Sequence, residues 1–134
     1  MTEAARNDVA QVVIVDDDRA IRWVLERALA QPDLDVECIE RADVALTRLL
    51  ENPPDVLVTD IRMPGIDGLD LMSRVREAHP DLPVIVMTAH SDLDSAVASY
   101  QGGAFEYLPK PFDVDEALAL VRRAVAHARE PQRP

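Results

Sequence analysis

Charged and hydroxyl side chains stand at the ends of four short apolar runs in this 134-residue chain. Three consecutive carboxylates, Asp16-Asp17-Asp18, follow the first of these runs, and Asp60 ends another. Thr88-Ala89 ends a third, and Lys110-Pro111 follows the last. If the runs are parallel strands, their carboxyl ends meet at one edge of a sheet, where ligands of such sheets bind. We therefore expect carboxylates, one hydroxyl and one ammonium in a single site.

A divalent cation is the natural partner of such a carboxylate cluster. Crowded carboxylates repel and raise one another's proton affinity unless positive charge neutralises them. Mg²⁺ prefers oxygen ligands and binds through one or two carboxylates, waters and substrate phosphate oxygens. Histidine, cysteine and glutamate are missing from these strand ends, so a zinc or redox-metal site has no evident ligands.

Phosphoryl transfer is the chemistry that this set of groups suits. Asp60 is the candidate nucleophile, since a carboxylate can form an acyl phosphate. The cation and Lys110 would offset the charge that gathers, and Thr88 would donate a hydroxyl hydrogen bond. The alternative for each aspartate alone is that it caps the helix after its strand. Asp18, at the expected start of the first helix, is as well explained as a cap as it is as a ligand.

The elements that position these residues are predicted from hydrophobic periodicity. Short apolar runs alternate with stretches of helical period, which is typical of buried parallel strands joined by helices. The predicted strands are 11–16, 35–39, 56–60, 84–88 and 105–108. The five predicted helices have apolar faces around Ile21–Leu29, Val44–Leu50, Leu69–Ala78, Leu93–Tyr100 and Val114–Val125. Five βα units favour an α/β, doubly wound parallel sheet over an eight-unit barrel.

Short polar side chains mark several helix starts. Ser91 with Asp94, and Asp113 with Glu116, match capping boxes, and Asp67-Gly68 opens the third helix. The segment 40–43 carries no comparable signal, so the start of the second helix is left undefined.

Composition restricts the function classes. Hydrophobic residues make up 48% of the chain, enough for one globular domain, which we place at residues 9–127 with a linker or tail at 128–134. The formal net charge is -11, so a nucleic-acid backbone would repel this segment. Cys38 is the single cysteine, and neither a signal peptide nor an apolar run of about 18 residues occurs. We expect a cytoplasmic protein without a membrane segment.

Four motifs together resemble the receiver domains of two-component response regulators, over about Val12 to Ala126. They are Val-Val-Ile-Val-Asp-Asp-Asp at 12–18, Val-Thr-Asp-Ile-Arg-Met-Pro-Gly-Ile-Asp-Gly at 58–68, Val-Met-Thr-Ala at 86–89 and Lys-Pro-Phe at 110–112. Segments 21–29, 88–94 and 103–113 are similar to the nitrogen regulatory protein C (NtrC) branch. The resemblance implies a flavodoxin-like, five-stranded sheet with five helices and strand order 2-1-3-4-5.

The resemblance also implies roles for individual residues. Asp60 would be phosphorylated by an NtrB-like sensor histidine kinase, and Thr88, Ala89 and Lys110 would engage the phosphoryl group. The bond before Pro111 would be cis. The Mg²⁺ ligands would be Asp60, Asp17 directly, Asp16 through a water, and the backbone carbonyl of Arg62.

Activation in the family couples Thr88 to an aromatic residue on the fifth strand, which is Tyr107 here. An ordinary sheet tyrosine explains Tyr107 about as well, and a solvated loop residue explains His90 better than a special role does. Trp23 lies off the apolar stripe of the first helix and should be partly exposed. A kinase-docking role fits Trp23, although single exposed apolar residues are common.

Relatives of the NtrC branch carry an AAA+ sigma-54-activating domain and a helix-turn-helix DNA-binding domain. This chain contains no G-x-x-x-x-G-K-[ST] loop, so we expect those domains in a longer chain or a single-domain regulator. The expected function is a phosphorylation switch in nitrogen regulation; whether it forms a homodimer on phosphorylation stays open. The alternatives are a Mg²⁺-dependent aspartyl-phosphate phosphatase or phosphotransferase, and a scaffold that docks independently of phosphorylation.

Overall fold

The computed structural model describes residues 9–89, 97 and 101–129. Its strands and helices with described bounds are, in chain order, β1 Ala10–Val15, α1 Arg19–Ala28, β2 Leu34–Ile39, α2 Ala42–Glu51, β3 Val56–Asp60, α3 Gly68–Ala78, β4 Val84–Thr88, β5 Glu106–Pro109 and α4 Val114–Ala128. The predicted helix through Leu93, Ala96 and Tyr100, with its capping box at Ser91 and Asp94, lies outside the described residues. Val97 alone of that segment is described, and it is helical and exposed.

The five strands form one parallel sheet in the order β2-β1-β3-β4-β5, which confirms the predicted fold. β3 and β4 occupy the predicted residues, whereas the predicted bounds of β1, β2 and β5 are wrong by one residue. β1 begins at Ala10 because Ala10 pairs with Leu34 at the start of β2. Strand ends depend on such pairing with a neighbour, which the periodicity of one segment does not report.

Each face of the sheet buries its own apolar layer, because successive strand side chains point to opposite faces. Val12 and Ile14 of β1 pack with side chains from α1 and α4. Val13 and Val15 pack on the other face with side chains from α2 and α3. The sheet is thus enclosed on both sides, so its polar groups are accessible to solvent mainly at the strand ends.

Aspartates cap three of the four helices with described bounds. Asp18 caps α1 by accepting from the Ala20 amide at 2.9 Å, and Asp67 caps α3 by accepting from the Asp70 amide at 2.8 Å. Asp113 caps α4, but it accepts from the amide of the second helical residue, at 3.4 Å, instead of from Glu116. The predicted capping-box geometry is therefore wrong at that helix, since the short aspartate side chain bonds one residue earlier.

The helix after segment 40–43 starts without a side-chain cap. Arg41 occupies the N-cap position of α2 and makes no side-chain hydrogen bond to the backbone there. Its guanidinium instead pairs with Asp43 in the first turn, at 2.7 Å. The first-turn amide of Val44 donates to Oδ1 of Asp43 at 3.0 Å, so this helix start is supported from within the first turn and not by its N-cap residue.

Trp23 is 58% exposed on α1, as predicted, and the Arg27 guanidinium lies 4.9 Å from the centre of its ring. Within residues 9–89, 97 and 101–129, none of the helices has the length and hydropathy that a membrane span requires.

Candidate functional site

Strand register brings three charged side chains to one side of the sheet edge. Val12 and Ile14 pair with Val56 and Val58 across β1 and β3, and continuing this register by two residues places Asp16 opposite Asp60. On the far side of β4, Met87 pairs with both Asp60 and Leu108, and Lys110 follows Leu108 by two residues. Because side chains alternate along a strand, Asp16, Asp60 and Lys110 share the face that packs against α1 and α4.

Lys110 joins the two aspartates. Its Nζ lies 3.3 Å from Oδ2 of Asp16 and 3.2 Å from Oδ1 of Asp60. The Lys110 side chain is 23% exposed, that of Asp60 is 13% exposed, and that of Asp16 is fully buried. These charge-assisted hydrogen bonds stabilise two carboxylates that would otherwise repel each other.

Asp16 is held by several further hydrogen bonds. Its backbone amide donates to the Ile39 carbonyl at 3.2 Å, and its Oδ1 accepts from the Asp18 amide at 2.8 Å. The Asp16 carboxylate is therefore oriented by the backbone on one side and by Lys110 on the other. Asp18 itself acts as the α1 cap, so of the two interpretations of Asp18 the structure supports the cap.

The surroundings shift two pKa values. Burial is the largest influence on Asp16 and raises its pKa above 3.8, and the charge of Asp60 adds to the rise, although the Asp18 amide and Lys110 oppose it. Burial alone would lower the pKa of Lys110, but the charges and hydrogen bonds of Asp16 and Asp60 outweigh it and raise the pKa above 10.5. Lys110 thus remains an ammonium at neutral pH. Burial disfavours the ionised form of Asp16, and additional positive charge nearby would stabilise that form.

Asp17 completes an acidic group with the donor chemistry of a hard-cation site. One carboxylate oxygen from each of Asp16, Asp17 and Asp60 lies within 4.8 Å of the others. Asp17 is exposed and Asp60 half-buried, so the group is open to solvent on the Asp17 side. Three carboxylates against one ammonium leave negative charge in excess, and the all-oxygen donor set suits Mg²⁺.

Thr88 lies beside Lys110 at the end of β4. It is 2% exposed, and its carbonyl accepts from the Lys110 amide at 2.7 Å. Ala89 follows it and is exposed, and Arg62 is exposed in the loop after Asp60. The peptide bond between Lys110 and Pro111 is cis.

Tyr107 is half-buried on β5 and pairs with Val86, two residues before Thr88. By strand alternation the side chains of Tyr107 and Thr88 belong to the same face of the sheet, the face that packs against α2 and α3. His90 lies outside the described residues.

Two residues near the site were missed by the sequence reasoning. Arg22 lies in the predicted first helix and in the NtrC-like segment 21–29 and has no predicted site role, but its Nη1 donates to the Asp16 carbonyl at 2.8 Å. Gly68 was assigned to the start of α3, but its amide donates to the Ile61 carbonyl at 2.7 Å, next to Asp60. Gly68 follows a recognisable turn sequence, whereas no local signal distinguishes Arg22 from the other arginines of α1.

Comparisons with known proteins identify the family to which this chain belongs. The sequence model of the response regulator receiver domain matches residues 12–122. The chain belongs to the response regulator receiver domain family. Within that family it is similar to the receivers of NtrC: it is 59% identical over 123 residues to the DNA-binding transcriptional regulator NtrC of Salmonella typhimurium, covering 92% of this chain and 26% of that protein.

Other relatives carry different names. The C4-dicarboxylate transport transcriptional regulatory protein DctD of Pseudomonas aeruginosa is 43% identical over 115 residues, covering 86% of this chain and 25% of DctD. Among solved structures, the apo receiver domain of nitrogen regulatory protein C matches with a TM-score of 0.81 and 59% identity, covering 90% of this chain and 98% of that one. The BeF3-activated form of that domain matches with a TM-score of 0.78. The chain spans about a quarter of the length of these curated relatives.

Proposed function

We propose that this receiver accepts a phosphoryl group on Asp60 from the phosphohistidine of an NtrB-like sensor histidine kinase. The observation that carries the proposal is the position of Lys110, whose ammonium lies within 3.3 Å of both Asp16 and Asp60 at the exposed edge of the sheet. An ammonium held against a carboxylate and open to solvent is placed to bind the oxygens of a phosphoryl group that arrives there.

In the proposed reaction, a carboxylate oxygen of Asp60 forms a bond to phosphorus while the bond from phosphorus to the donor imidazole nitrogen breaks. The electron pair of that bond returns to the imidazole, and the product is an acyl phosphate on Asp60. Lys110 shifts from ion-pairing with Asp60 to donating to a phosphoryl oxygen. The Thr88 hydroxyl and the Ala89 amide, at the end of the adjacent strand, are the further donors proposed for the phosphoryl oxygens.

Asp16, Asp17, Asp60 and the Arg62 carbonyl are the proposed Mg²⁺ ligands. The bound cation would neutralise charge on the phosphoryl oxygens and carboxylates. The carboxylate oxygens of Asp16, Asp17 and Asp60 already lie within 4.8 Å of one another, which supports this assignment. Asp16 has hydrogen bonds on both carboxylate oxygens, which favours a role through water, whereas the exposed Asp17 suits direct coordination.

We further propose that phosphorylation changes a partner surface through Thr88 and Tyr107. Both residues lie on the same face of the sheet, one on each of two paired strands, so a shift of the Thr88 side chain toward a phosphoryl group leaves space next to Tyr107. Such a displacement requires that the Thr88 and Tyr107 side chains can pack in two different arrangements on β4 and β5.

The regulated protein is proposed to be a longer, NtrC-type sigma-54-dependent transcriptional activator acting in nitrogen regulation. Residues 9–127 would form its receiver and residues 128–134 the start of the linker to AAA+ and DNA-binding domains. The NtrC and DctD relatives are transcriptional regulators about four times as long as the matched region, which supports this arrangement. The net charge of -11 favours DNA contact by another domain.

The experiment that tests this function is intact-protein mass spectrometry after incubation with acetyl phosphate and Mg²⁺. We expect one added phosphoryl group in the wild type, none in Asp60→Asn, and none when Mg²⁺ is chelated. Asp81→Asn, an exposed aspartate in the loop before β4, is the matched control and should be modified like the wild type. An unmodified wild type, with acetyl phosphate and with a phosphorylated kinase, would instead support the docking scaffold.

A further inference from the structure

Arg22, one turn into α1, links the helix to the ends of two strands. We propose that Arg22 is a positioning residue for the metal-binding aspartates: it fixes the peptide between Asp16 and Asp17 and thereby the direction in which Asp17 points. This inference rests on the proposed function, because it concerns the Mg²⁺ site of the same reaction.

Arg22 contacts the backbone of the acidic pair, Asp16 and Asp17, and the contact does not involve their carboxylates. Nη1 of Arg22 donates to the carbonyl oxygen of Asp16 at 2.8 Å. That carbonyl and the amide of Asp17 belong to one planar peptide unit, so holding the oxygen also holds the plane from which Asp17 departs. β1 and its pairing with β2 and β3 end at Val15, so the described strand pairs do not include this peptide unit.

The second terminal nitrogen of Arg22 points to another strand end. Nη2 lies 3.9 Å from Oε2 of Glu40, the residue that follows β2. The Arg22 side chain is only 17% exposed, whereas that of Glu40 is 69% exposed. A guanidinium that is largely withdrawn from water requires partners for its donors, and the Asp16 carbonyl is the closer of these two.

The shape of the side chain matters for this role. An arginine presents its donors in a rigid planar fork, so a bond from one nitrogen fixes the orientation of the others. A lysine would keep the charge but offer a single flexible ammonium. If Arg22 acts by geometry, neither glutamine nor lysine replaces it. If it acts only by charge, lysine does.

The test measures cation affinity directly, without phosphorylation. Mn²⁺ serves as the probe, because loss of its free-ion electron paramagnetic resonance signal reports binding, and Mg²⁺ competition then gives the Mg²⁺ Kd. We expect Arg22→Gln and Arg22→Lys to weaken Mg²⁺ binding by about tenfold, a loss typical of residues that orient metal ligands. Glu40→Gln, which keeps the Asp16 bond, should bind Mg²⁺ within about twofold of the wild type, because an exposed ion pair contributes little.

A control variant must show that a loss of stability by itself does not weaken Mg²⁺ binding. Arg122→Gln is the matched control, since it removes an arginine that bonds Asp33 at 3.2 Å on the far side of the domain. It should keep the wild-type Mg²⁺ Kd whatever happens to its unfolding temperature. All titrations are made well below the unfolding temperature of each variant, and Arg22→Lys serves if Arg22→Gln does not fold.

The rate of modification by acetyl phosphate gives a second readout. At saturating Mg²⁺ the Arg22 variants should recover a rate close to that of the wild type, because a weaker site still fills. The proposal is overturned if Arg22→Gln or Arg22→Lys keeps the wild-type Mg²⁺ Kd, or if Arg122→Gln loses as much affinity. A wild type that neither binds Mg²⁺ nor becomes phosphorylated would overturn the proposed function itself, and this inference with it.

Discussion

The first residue of α3 packs directly against the backbone of the proposed phosphoacceptor: a Cβ on Gly68 would lie 1.9 Å from the carbonyl oxygen of Asp60. The same Cβ would lie 2.9 Å from the Cα of Ile61. Since both neighbours are backbone atoms, no side chain can rotate away to make room. Gly68 therefore permits the close approach that lets its amide bond the Ile61 carbonyl.

Gly68→Ala should consequently displace the chain at Asp60 or the start of α3. We expect a loss of about 1–3 kcal/mol in the free energy of unfolding, the usual cost of forcing extra atoms into a packed region. Phosphorylation by acetyl phosphate should slow as well. Urea unfolding and the modification rate measure the two effects.

Gly65 provides the matched control for this substitution. Its φ of +80° is unfavourable for most residues, but no atom lies within 4 Å of a Cβ there. Gly65→Asn should stay close to wild type, because asparagine tolerates this conformation. Equal effects of the two substitutions would mean that close packing at Gly68 is not what limits the site.

Removing the ammonium should impair the proposed chemistry. Lys110→Gln keeps a hydrogen-bond donor but loses the charge that faces both Asp16 and Asp60. We expect modification by acetyl phosphate to slow by about 10²-fold, comparable to the loss of one preorganised donor at a reacting oxyanion. Arg74→Gln, which removes an exposed cation paired with Asp70 on α3, is the control and should react at the wild-type rate.

The raised pKa of Asp16 predicts how stability changes with pH in the absence of a cation. Well below pH 3.8 Asp16 is protonated in both the folded and the unfolded state and causes no penalty. As the pH rises from there through the folded-state pKa, the unfolded chain ionises first and gains stability relative to the folded one. The free energy of unfolding should therefore fall over this range.

Asp16→Asn removes that penalty and should raise the free energy of unfolding of the metal-free protein at neutral pH. The gain should vanish well below pH 3.8, where Asp16 is protonated in both states. Urea unfolding at several pH values in a chelating buffer measures it. An Asn variant that is less stable at neutral pH would show that the lost bond to Lys110 outweighs the relieved burial of charge.

Mg²⁺ should stabilise the protein through the acidic pair. A ligand that binds only the folded state adds about 2.7 kcal/mol at 100 times its Kd. We expect thermal unfolding to shift upward with Mg²⁺ in the wild type and to lose this shift in Asp17→Asn. Asp18→Asn makes the same chemical change one residue later, and since asparagine also caps helices, it should keep the shift. A reversed pattern would assign the cation to Asp18.

The single thiol should be unreactive in the folded protein. Burial, together with the nearby charge of Glu26, raises the pKa of Cys38 to about 11. Because the thiolate is the nucleophile, alkylation by iodoacetamide at pH 8 should be slower than in the urea-unfolded chain. Mass spectrometry over time measures both rates, and equal rates would contradict the burial of Cys38.

The sequence alone was sufficient to predict the sheet, its enclosure on both faces and the members of the acidic group. Apolar periodicity is a local property, and parallel strands deliver their carboxyl ends to one edge, so Asp16, Asp60 and Lys110 could be grouped without coordinates. The role of Asp18 could not be predicted, because a carboxylate at this position in the chain can either cap a helix or bind a metal. The hydrogen bond from the Ala20 amide to Asp18 supports the capping role.

Tertiary structure decided the contacts between distant segments. Lys110 and Asp16 are 94 residues apart, and their 3.3 Å separation depends on the register of four paired strands. The approach of Gly68 to the Asp60 carbonyl and the bond from Arg22 to the Asp16 carbonyl depend on how helices α3 and α1 sit against the strand ends. Such distances arise from packing between elements, and the hydrophobic pattern within one element does not predict them.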